Sequence, residues 1–135
     1  MSSWAEVIRQ VEARAEGRCE YCRMHQSLQG ATFHLEPIVP TSLGGTSEPD
    51  NLAWSCPRCN LQKSNRIEVV DPDTGAKVRL FHPRSDPWSD HFQFRGYDLV
   101  GLTAIGRAAV AALELNHPRR KFIRQAEEVF GLFPP

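Results

Sequence analysis

The stretch that decides the fold reads CEYC at residues 19–22, FHLEPIVP at 33–40 and CPRC at 56–59. The chain has four cysteines, and all of them fall in the two C-x-x-C pairs. A two-residue gap lets both thiolates of a pair point at one metal ion, and two such pairs supply the four sulfurs that tetrahedral zinc prefers. The pairs lie farther apart than in the shortest zinc ribbons, so the segment between them must carry structure of its own. We predict a structural zinc ion held by Cys19, Cys22, Cys56 and Cys59.

Disulfide bonds are the competing interpretation of the four cysteines. Residues 1–4, MSSW, lead directly into a charged amphipathic stretch, and no signal peptide is visible. We therefore expect a cytoplasmic location, where a reducing environment favours thiolate–metal bonds over disulfides. A thioredoxin-type redox role for one pair would need a strand–helix context and would leave the second pair unexplained.

Size and composition indicate an ordinary soluble protein. With 135 residues, 41% of them hydrophobic and 24% charged, the chain is expected to form one domain, or one domain with an appendage. No apolar run approaches the length of a membrane span. The formal net charge is +0, from 16 basic and 16 acidic residues, which neither supports nor excludes a nucleic-acid partner. One basic cluster follows the second cysteine pair. A second cluster reads more simply as a solvated helix face and consists of Arg119, Arg120, Lys121 and Arg124.

The first half of the chain is predicted to begin with an amphipathic helix. Ser3 and Glu6 form a capping-box pattern, and Gly17 ends the helix. Its apolar face consists of Trp4, Val7, Ile8, Val11 and Ala15. An extended segment, a turn-rich loop and a short helix then follow in order at residues 31–39, 43–50 and 56–66.

The second half is predicted to add two strand pairs and two helices. The strand pairs are 67–70 with 77–81, around the turn DPDTG, and 91–94 with 97–102. Thr103 caps a helix that ends near Asn116, and Pro118 suits the first turn of a final helix. The residues on one face of that final helix are Phe122, Ile123, Ala126, Val129 and Phe130.

Several fixed spacings recur around the cysteine pairs. They are the acidic residue Glu36 shortly before IVP at 38–40, a Gly44-Gly45 turn, Asn51-Leu52, and CPRCNLQK at 56–63. In these features the segment from Cys19 to about Arg66 resembles the HNH endonucleases. The tail is similar to the C-terminal part of small stand-alone bacterial HNH proteins in LFHPR at 80–84, WSDHF at 88–92 and GLT at 101–103.

The predicted helices and strands indicate an α+β architecture, to which the resemblance adds a ββα-metal centre. Its expected centre is a ββα-metal module stapled by the four-cysteine zinc site, flanked by an N-terminal helix and a C-terminal β-hairpin plus two-helix extension. The expected division is residues 1–66 for the helix and the module, and residues 67–135 for the C-terminal extension, packed together as one compact unit.

The resemblance also implies a mechanism in which a divalent ion neutralises the phosphate while a base activates water. Glu36 and Asn60 match the family's ligands for that ion, and their oxygen donors suit Mg²⁺ or Mn²⁺. Asn51 matches the family's central asparagine, which orients loop and strand through hydrogen bonds. Lys63 is expected to approach the phosphate backbone, helped by Arg58 and Arg66. Simpler roles remain open, namely helix capping for Asn60 and a surface strand carboxylate for Glu36.

One position departs from the family's pattern. The general base is a histidine directly after the acidic residue, and this chain has Pro37 there. Proline accepts no proton, so the change removes a step typically worth ~10²–10⁴-fold in rate. His34 shares a strand face with Glu36 and is the nearby candidate for a metal ligand, an orienting group or a replacement base. The remaining histidines read more simply as loop or tail residues, and they are His25, His82, His91 and His117.

Three functions are consistent with these residues. The first is a metal-dependent endonuclease that hydrolyses phosphodiester bonds of double-stranded DNA, impaired at Pro37 by natural loss or by deliberate substitution. The second is a zinc-containing DNA-binding module that has lost cleavage. The third is an interaction domain in which the zinc module supports a protein-binding surface. Glu36 and Asn60 favour the first over the second, because a pure binding module needs no carboxylate facing phosphates.

Overall fold

Five α-helices and three two-stranded antiparallel sheets make up the computed structural model, which describes residues 3–135. The helices are α1 Trp4–Ala15, α2 Pro57–Lys63, α3 Trp88–His91, α4 Ala104–Ala112 and α5 Pro118–Val129. The strands are β1 His34–Pro37, β2 Leu52–Ser55, β3 Glu68–Val70, β4 Lys77–Arg79, β5 Phe92–Arg95 and β6 Asp98–Gly101. Each strand pairs with its neighbour in sequence, β1 with β2, β3 with β4 and β5 with β6. The predicted α+β class is confirmed. No helix within residues 3–135 has both the length and the apolar character to span a membrane.

Helix α1 begins with the predicted capping box. Ser3 Oγ accepts a hydrogen bond from Glu6 N at 3.2 Å, and Ser3 N donates to Glu6 Oε2 at 3.1 Å, so two orphan donors are satisfied reciprocally. The buried side chains of α1 are Val7, Val11 and Ala15. Trp4 is 55% exposed and adds little to the predicted apolar face. Arg14 fastens α1 to the centre of the molecule by donating to Leu52 O at 2.7 Å.

A hairpin followed by a helix forms the centre of the molecule, as the resemblance implied. In the β1–β2 pair, Pro37 lies opposite Leu52. Because β1 has β2 as its one neighbour in the sheet, it is an edge strand, where a proline without an amide N–H is tolerated. Helix α2 ends at Lys63 and not at the predicted residue 66, because Ser64 adopts a φ of 51° that leaves the helical region.

Two hairpins begin the C-terminal extension, and both strand pairs were predicted. The β3–β4 turn is organised by the buried Asp71 carboxylate, which accepts a hydrogen bond from Thr74 Oγ1 at 3.0 Å. Arg107 of α4 donates to the same carboxylate from Nη2 at 2.8 Å and from Nε at 3.1 Å. The strand predicted to start at His91 starts one residue later, because Pro87 opens a single helical turn, α3, that includes His91.

Helix α4 is capped as predicted but is shorter than expected. The Thr103 hydroxyl accepts a hydrogen bond from Gly106 N at 3.0 Å. The helix ends at Ala112 and not near Asn116, because the chain turns at Glu114, whose φ is 50°. The side chain of Asn116 then bonds both backbone groups of Leu99, at 2.7 and 2.8 Å, and so docks the turn on β6.

The apolar face predicted for α5 is not the face that packs. Phe122, Val129 and Phe130 are exposed, and Ile123 alone of the larger apolar residues packs against the core. The buried residues of α5 are Arg120, Arg124 and Glu127. The charged face can be buried because its groups find partners there, for example Leu115 O at 2.6 Å from Arg124 Nη2. The solvated-face interpretation of the second basic cluster is therefore wrong for both buried arginines.

Candidate active site and zinc centre

The two cysteine pairs come together in one buried cluster. The four Sγ atoms all lie within 4.8 Å of one another, and the four residues are Cys19, Cys22, Cys56 and Cys59. The Sγ atoms of Cys22 and Cys56 are 3.8 Å apart, which is close to the edge of a tetrahedron with zinc–sulfur bonds of about 2.3 Å. The cysteines are free thiols, so the disulfide interpretation is set aside. The donor set and its spacing fit a zinc ion.

Local backbone structure places each pair. The first pair lies in a tight turn in which Cys19 N donates to Met24 O at 2.9 Å. The second pair begins α2, where Cys56 Sγ accepts a hydrogen bond from Cys59 N at 3.4 Å. Burial raises the pKa of the Cys19 and Cys59 thiols, whereas hydrogen bonds from neighbouring cysteines lower that of Cys56. A buried cluster of this kind holds several thiolates only when a cation neutralises them.

An open cleft of about 490 Å³ lies between the end of β1, the turn that follows it and α2. Three of the residues singled out from the sequence line it, namely Glu36, Pro37 and Asn60. The remaining lining is mostly small and polar and consists of Pro40, Thr41, Ser42, Leu61, Ser64 and Asn65. No sequence pattern marked these polar residues, because they belong to irregular turns that the fold brings together.

Glu36 is a buried carboxylate, 5% exposed, and not the surface strand carboxylate of the simpler interpretation. Lys63 Nζ lies 2.8 Å from Glu36 Oε1, yet neither carboxyl oxygen accepts a well-directed hydrogen bond from residues 3–135. Burial raises the pKa of Glu36, while Lys63 and then Ser55 oppose that rise. A buried carboxylate with an unsatisfied oxygen at the edge of a cleft fits a ligand for a hard cation.

Asn51 holds the loop after β1, whose first residues line the cleft. Its Oδ1 accepts from Val39 N at 2.9 Å, and its Nδ2 donates to Val39 O at 2.9 Å and to Thr46 O at 2.8 Å. Gly45 is packed so closely that a Cβ there would collide with the Val39 carbonyl and lie 2.9 Å from Asn51 Nδ2. These are the bonds expected of an orienting residue, and they explain why a glycine stands at position 45.

The four-cysteine cluster, the ββα centre and the orienting asparagine lie within one stretch of the chain, and that stretch is the one that matches a known family. Residues 19–66 match the family model of the HNH endonuclease. The resemblance stated from the residues is confirmed for this stretch, called the HNH segment below. No curated protein and no solved structure matches the chain.

Within the HNH segment, the structure places Lys63 differently from the prediction. The side chain is 1% exposed, and Nζ donates to Pro37 O at 3.3 Å in addition to its contact with Glu36. A lysine enclosed in this way does not face a phosphate backbone. The predicted phosphate contact is corrected to an internal ion pair, formed because Glu36 is buried on the same side of α2 and needs a cation.

Arg58 and Arg66, the expected helpers of Lys63, join the HNH segment to the C-terminal extension. Arg58 Nη2 pairs with Glu114 Oε2 at 2.7 Å, and both side chains are partly exposed. Arg66 Nη2 donates to Ala112 O at 2.9 Å. Both arginines therefore have intramolecular partners, although Arg66 stays on the surface next to the cleft residues 64–65.

Asn60 and His34 line different depressions of the surface. Asn60 lies in α2 and lines the cleft, and its helix is capped by Cys56, so the capping interpretation of Asn60 is wrong. His34 is exposed and lines a different depression beside Trp4 and Trp54. His34 and Glu36 are two residues apart in β1, but no histidine of the described chain lines the cleft.

Sequence reasoning missed two buried groups around the HNH segment. Glu20, inside the first C-x-x-C pair, accepts a hydrogen bond from Trp54 N at 2.8 Å and pairs with Arg84 of the extension. Arg120 of α5 reaches the cysteine sulfurs. No local pattern marks either residue, since their partners lie 34 to 64 residues away in the chain.

Proposed function

We propose that this chain is a divalent-metal-dependent endonuclease that binds double-stranded DNA and cleaves it weakly. The observation that carries the proposal is the cleft in which Glu36 and Asn60 stand beside Pro37. The match of residues 19–66 to the HNH endonuclease supports nuclease chemistry of this kind. Glu36 and Asn60 would hold Mg²⁺ or Mn²⁺, which supplies charge neutralisation at the scissile phosphate and the leaving oxygen.

The chain's own residues account for weak cleavage. Pro37 occupies the place where the family has its base, and its ring neither accepts nor relays a proton. None of the described histidines lines the cleft to take its place. Water must then be activated without a positioned general base, a loss of typically ~10²–10⁴-fold in rate.

The second candidate is the DNA-binding module without cleavage. The Glu36–Lys63 ion pair favours it, because Lys63 already neutralises the carboxylate that a catalytic ion would need. Both candidates share DNA binding, so DNA binding does not separate them. Restoring a histidine at position 37 does separate them, because the added base raises the cleavage rate only if the cleft can hold the catalytic ion.

The test is plasmid nicking by the zinc-loaded parent chain and by Pro37→His, each with Mg²⁺, Mn²⁺ or Ni²⁺. Position 37 is half-buried at the cleft, which leaves room for an imidazole. We expect weak nicking by the parent and an increase of about 10²-fold or more in the variant. The control is Pro37→His with Asn60→Ala, which we expect to be inactive.

If neither protein cuts with any ion while the fold, zinc and duplex-DNA binding are intact, the nuclease proposal is wrong and the non-catalytic DNA-binding module is supported. Absence of DNA binding as well would leave the protein-interaction domain. Activity that survives Asn60→Ala would show that the cleavage does not come from this cleft.

A further inference from the structure

The zinc centre has a charged neighbour that comes from the other end of the chain. Arg120, in the first turn of α5, is 2% exposed. Its Nη2 lies 3.4 Å from Cys59 Sγ, and its Nη1 lies 3.8 Å from Cys56 Sγ. The same Nη2 also donates to Leu113 O at 3.0 Å, which helps to hold the guanidinium in place. A single cation of the C-terminal extension thus touches both sulfurs of the second cysteine pair.

Four thiolates carry more negative charge than one dication neutralises. In a buried site that excess is costly unless another cation or hydrogen-bond donor lies close. An arginine side chain stays protonated in proteins, and here its N–H groups are directed at the two sulfurs.

We propose that Arg120 is the charge-compensating partner of the four-cysteine zinc centre, and that through it the C-terminal extension strengthens zinc binding. The guanidinium donates hydrogen bonds to the sulfurs of Cys56 and Cys59 and lowers the electron density that these ligands present to the metal. Residues that hydrogen-bond metal ligands typically change metal affinity by about 10–100-fold when removed. The proposal concerns the zinc centre alone and does not depend on the nuclease activity.

A second contact of α5 explains how Arg120 is held in register with the cluster. Glu127, 1% exposed and two turns along the helix, accepts a hydrogen bond from His25 N at 2.9 Å, next to the first cysteine pair. Helix α5 is therefore fixed at the second pair by Arg120 and beside the first pair by Glu127. Its packing face is charged because the surface that it covers supplies cysteine sulfurs and backbone groups as hydrogen-bond partners.

Arg124 provides a matched control one turn further along α5. It is as buried as Arg120, at 0% exposure, and donates to Leu115 O at 2.6 Å and to Tyr97 O at 2.8 Å. No cysteine sulfur of the described chain lies within hydrogen-bond distance of it. Substituting either arginine removes a buried guanidinium from the same helix, but only one substitution removes a donor to sulfur.

The experiment compares the parent chain with Arg120→Gln, Arg120→Lys and Arg124→Gln. Zinc affinity is measured by competition with a chromogenic chelator, and unfolding free energy is measured separately for each protein. The second readout is the thiolate-to-metal charge-transfer band of the cobalt-substituted proteins. We expect Arg120→Gln to bind zinc about 10–100-fold more weakly and to shift the band to lower energy. Arg120→Lys should lie between it and the parent.

Arg124→Gln should lower the unfolding free energy while leaving zinc affinity and the cobalt band unchanged. Equal effects of Arg120→Gln and Arg124→Gln on zinc affinity would overturn the proposal, as would a parent-like cobalt band in Arg120→Gln. If Arg120→Gln does not fold, the cobalt band of the conservative Arg120→Lys variant decides, and an unshifted band overturns the proposal.

Discussion

Lys63 Nζ lies 2.8 Å from Glu36 Oε1, and both side chains are almost fully enclosed. Two opposite charges in such a position depend on each other, because either one alone would be a buried unpaired ion. Glu36 is also the carboxylate proposed to hold the catalytic cation. Lys63 therefore supplies the positive charge that keeps this carboxylate ionised and oriented when no divalent ion is bound.

Replacing Lys63 should make the fold sensitive to divalent ions. Lys63→Met leaves Glu36 without its cation and should lower the unfolding free energy by about 3–5 kcal/mol. Added Mg²⁺ should restore part of that loss, because the ion binds the same carboxylate. Denaturant unfolding in metal-depleted buffer, with and without Mg²⁺ and without chelator so that zinc stays bound, measures both effects.

The matched control for this prediction is Lys63→Met combined with Glu36→Gln, which removes both charges and should recover much of the stability. A single variant as stable as the parent would show that the contact contributes nothing. An equal response of the single and double variants to Mg²⁺ would place the ion elsewhere.

Removing zinc should unfold the HNH segment. The four cysteines form its buried centre, and a structural zinc site contributes folding energy directly. Metal analysis of reduced protein should find one zinc ion per chain, and a strong chelator should abolish the cooperative thermal transition. Adding zinc back should restore it. A chelated protein that melts like the parent would argue against a structural role for the cluster.

Asp71 gives the C-terminal extension a pH-dependent contribution to stability. The hydrogen bonds from Arg107 are the largest of the effects that hold the pKa of Asp71 down, at about 2, below the usual value near ~3.9. A carboxyl group with a lowered folded-state pKa stabilises the fold above its unfolded pKa and loses that contribution as pH falls through the folded value.

The melting temperatures of the parent and of Asp71→Asn should therefore differ most above about pH 4, and the difference should shrink towards pH 2. Glu68→Gln, at an exposed position of β3, is the control, and its difference from the parent should be small at every pH. A difference between the parent and Asp71→Asn that stays constant from pH 5 to pH 2 would contradict the assignment.

Local patterns predicted the elements of this fold well, because they depend on neighbouring residues. The capping box at Ser3 and the DPDTG turn were readable for this reason. The ββα centre came from the spacing of the HNH segment. Boundaries failed where a residue takes an unexpected backbone conformation, as at Ser64 and Glu114. Neither position is a glycine, so the sequence carried no signal for the positive φ.

Partner choice in the core could not be predicted from the sequence. Lys63 looked like an exposed helical lysine because its partner Glu36 lies on a distant strand. Arg120 looked solvated because its partners are cysteine sulfurs and a carbonyl of the preceding turn. Hydrophobic periodicity then assigned the wrong face to α5. A long charged side chain can be buried wherever the fold places hydrogen-bond or ion-pair partners around it. Those partners come from distant parts of the chain, so local sequence does not reveal them.

The exposed apolar residues of α5 should matter little for stability. Phe122 is 71% exposed, whereas its neighbour Ile123 packs against the core. Phe122→Ser should change the unfolding free energy by at most about 0.5 kcal/mol, and Ile123→Ser should lower it by about 1 kcal/mol or more. The two substitutions are matched, because serine has nearly the helix propensity of both parent residues. Denaturant unfolding of the zinc-loaded variants measures the difference. A greater loss in Phe122→Ser than in Ile123→Ser would mean that α5 packs through the apolar face that the sequence alone predicted.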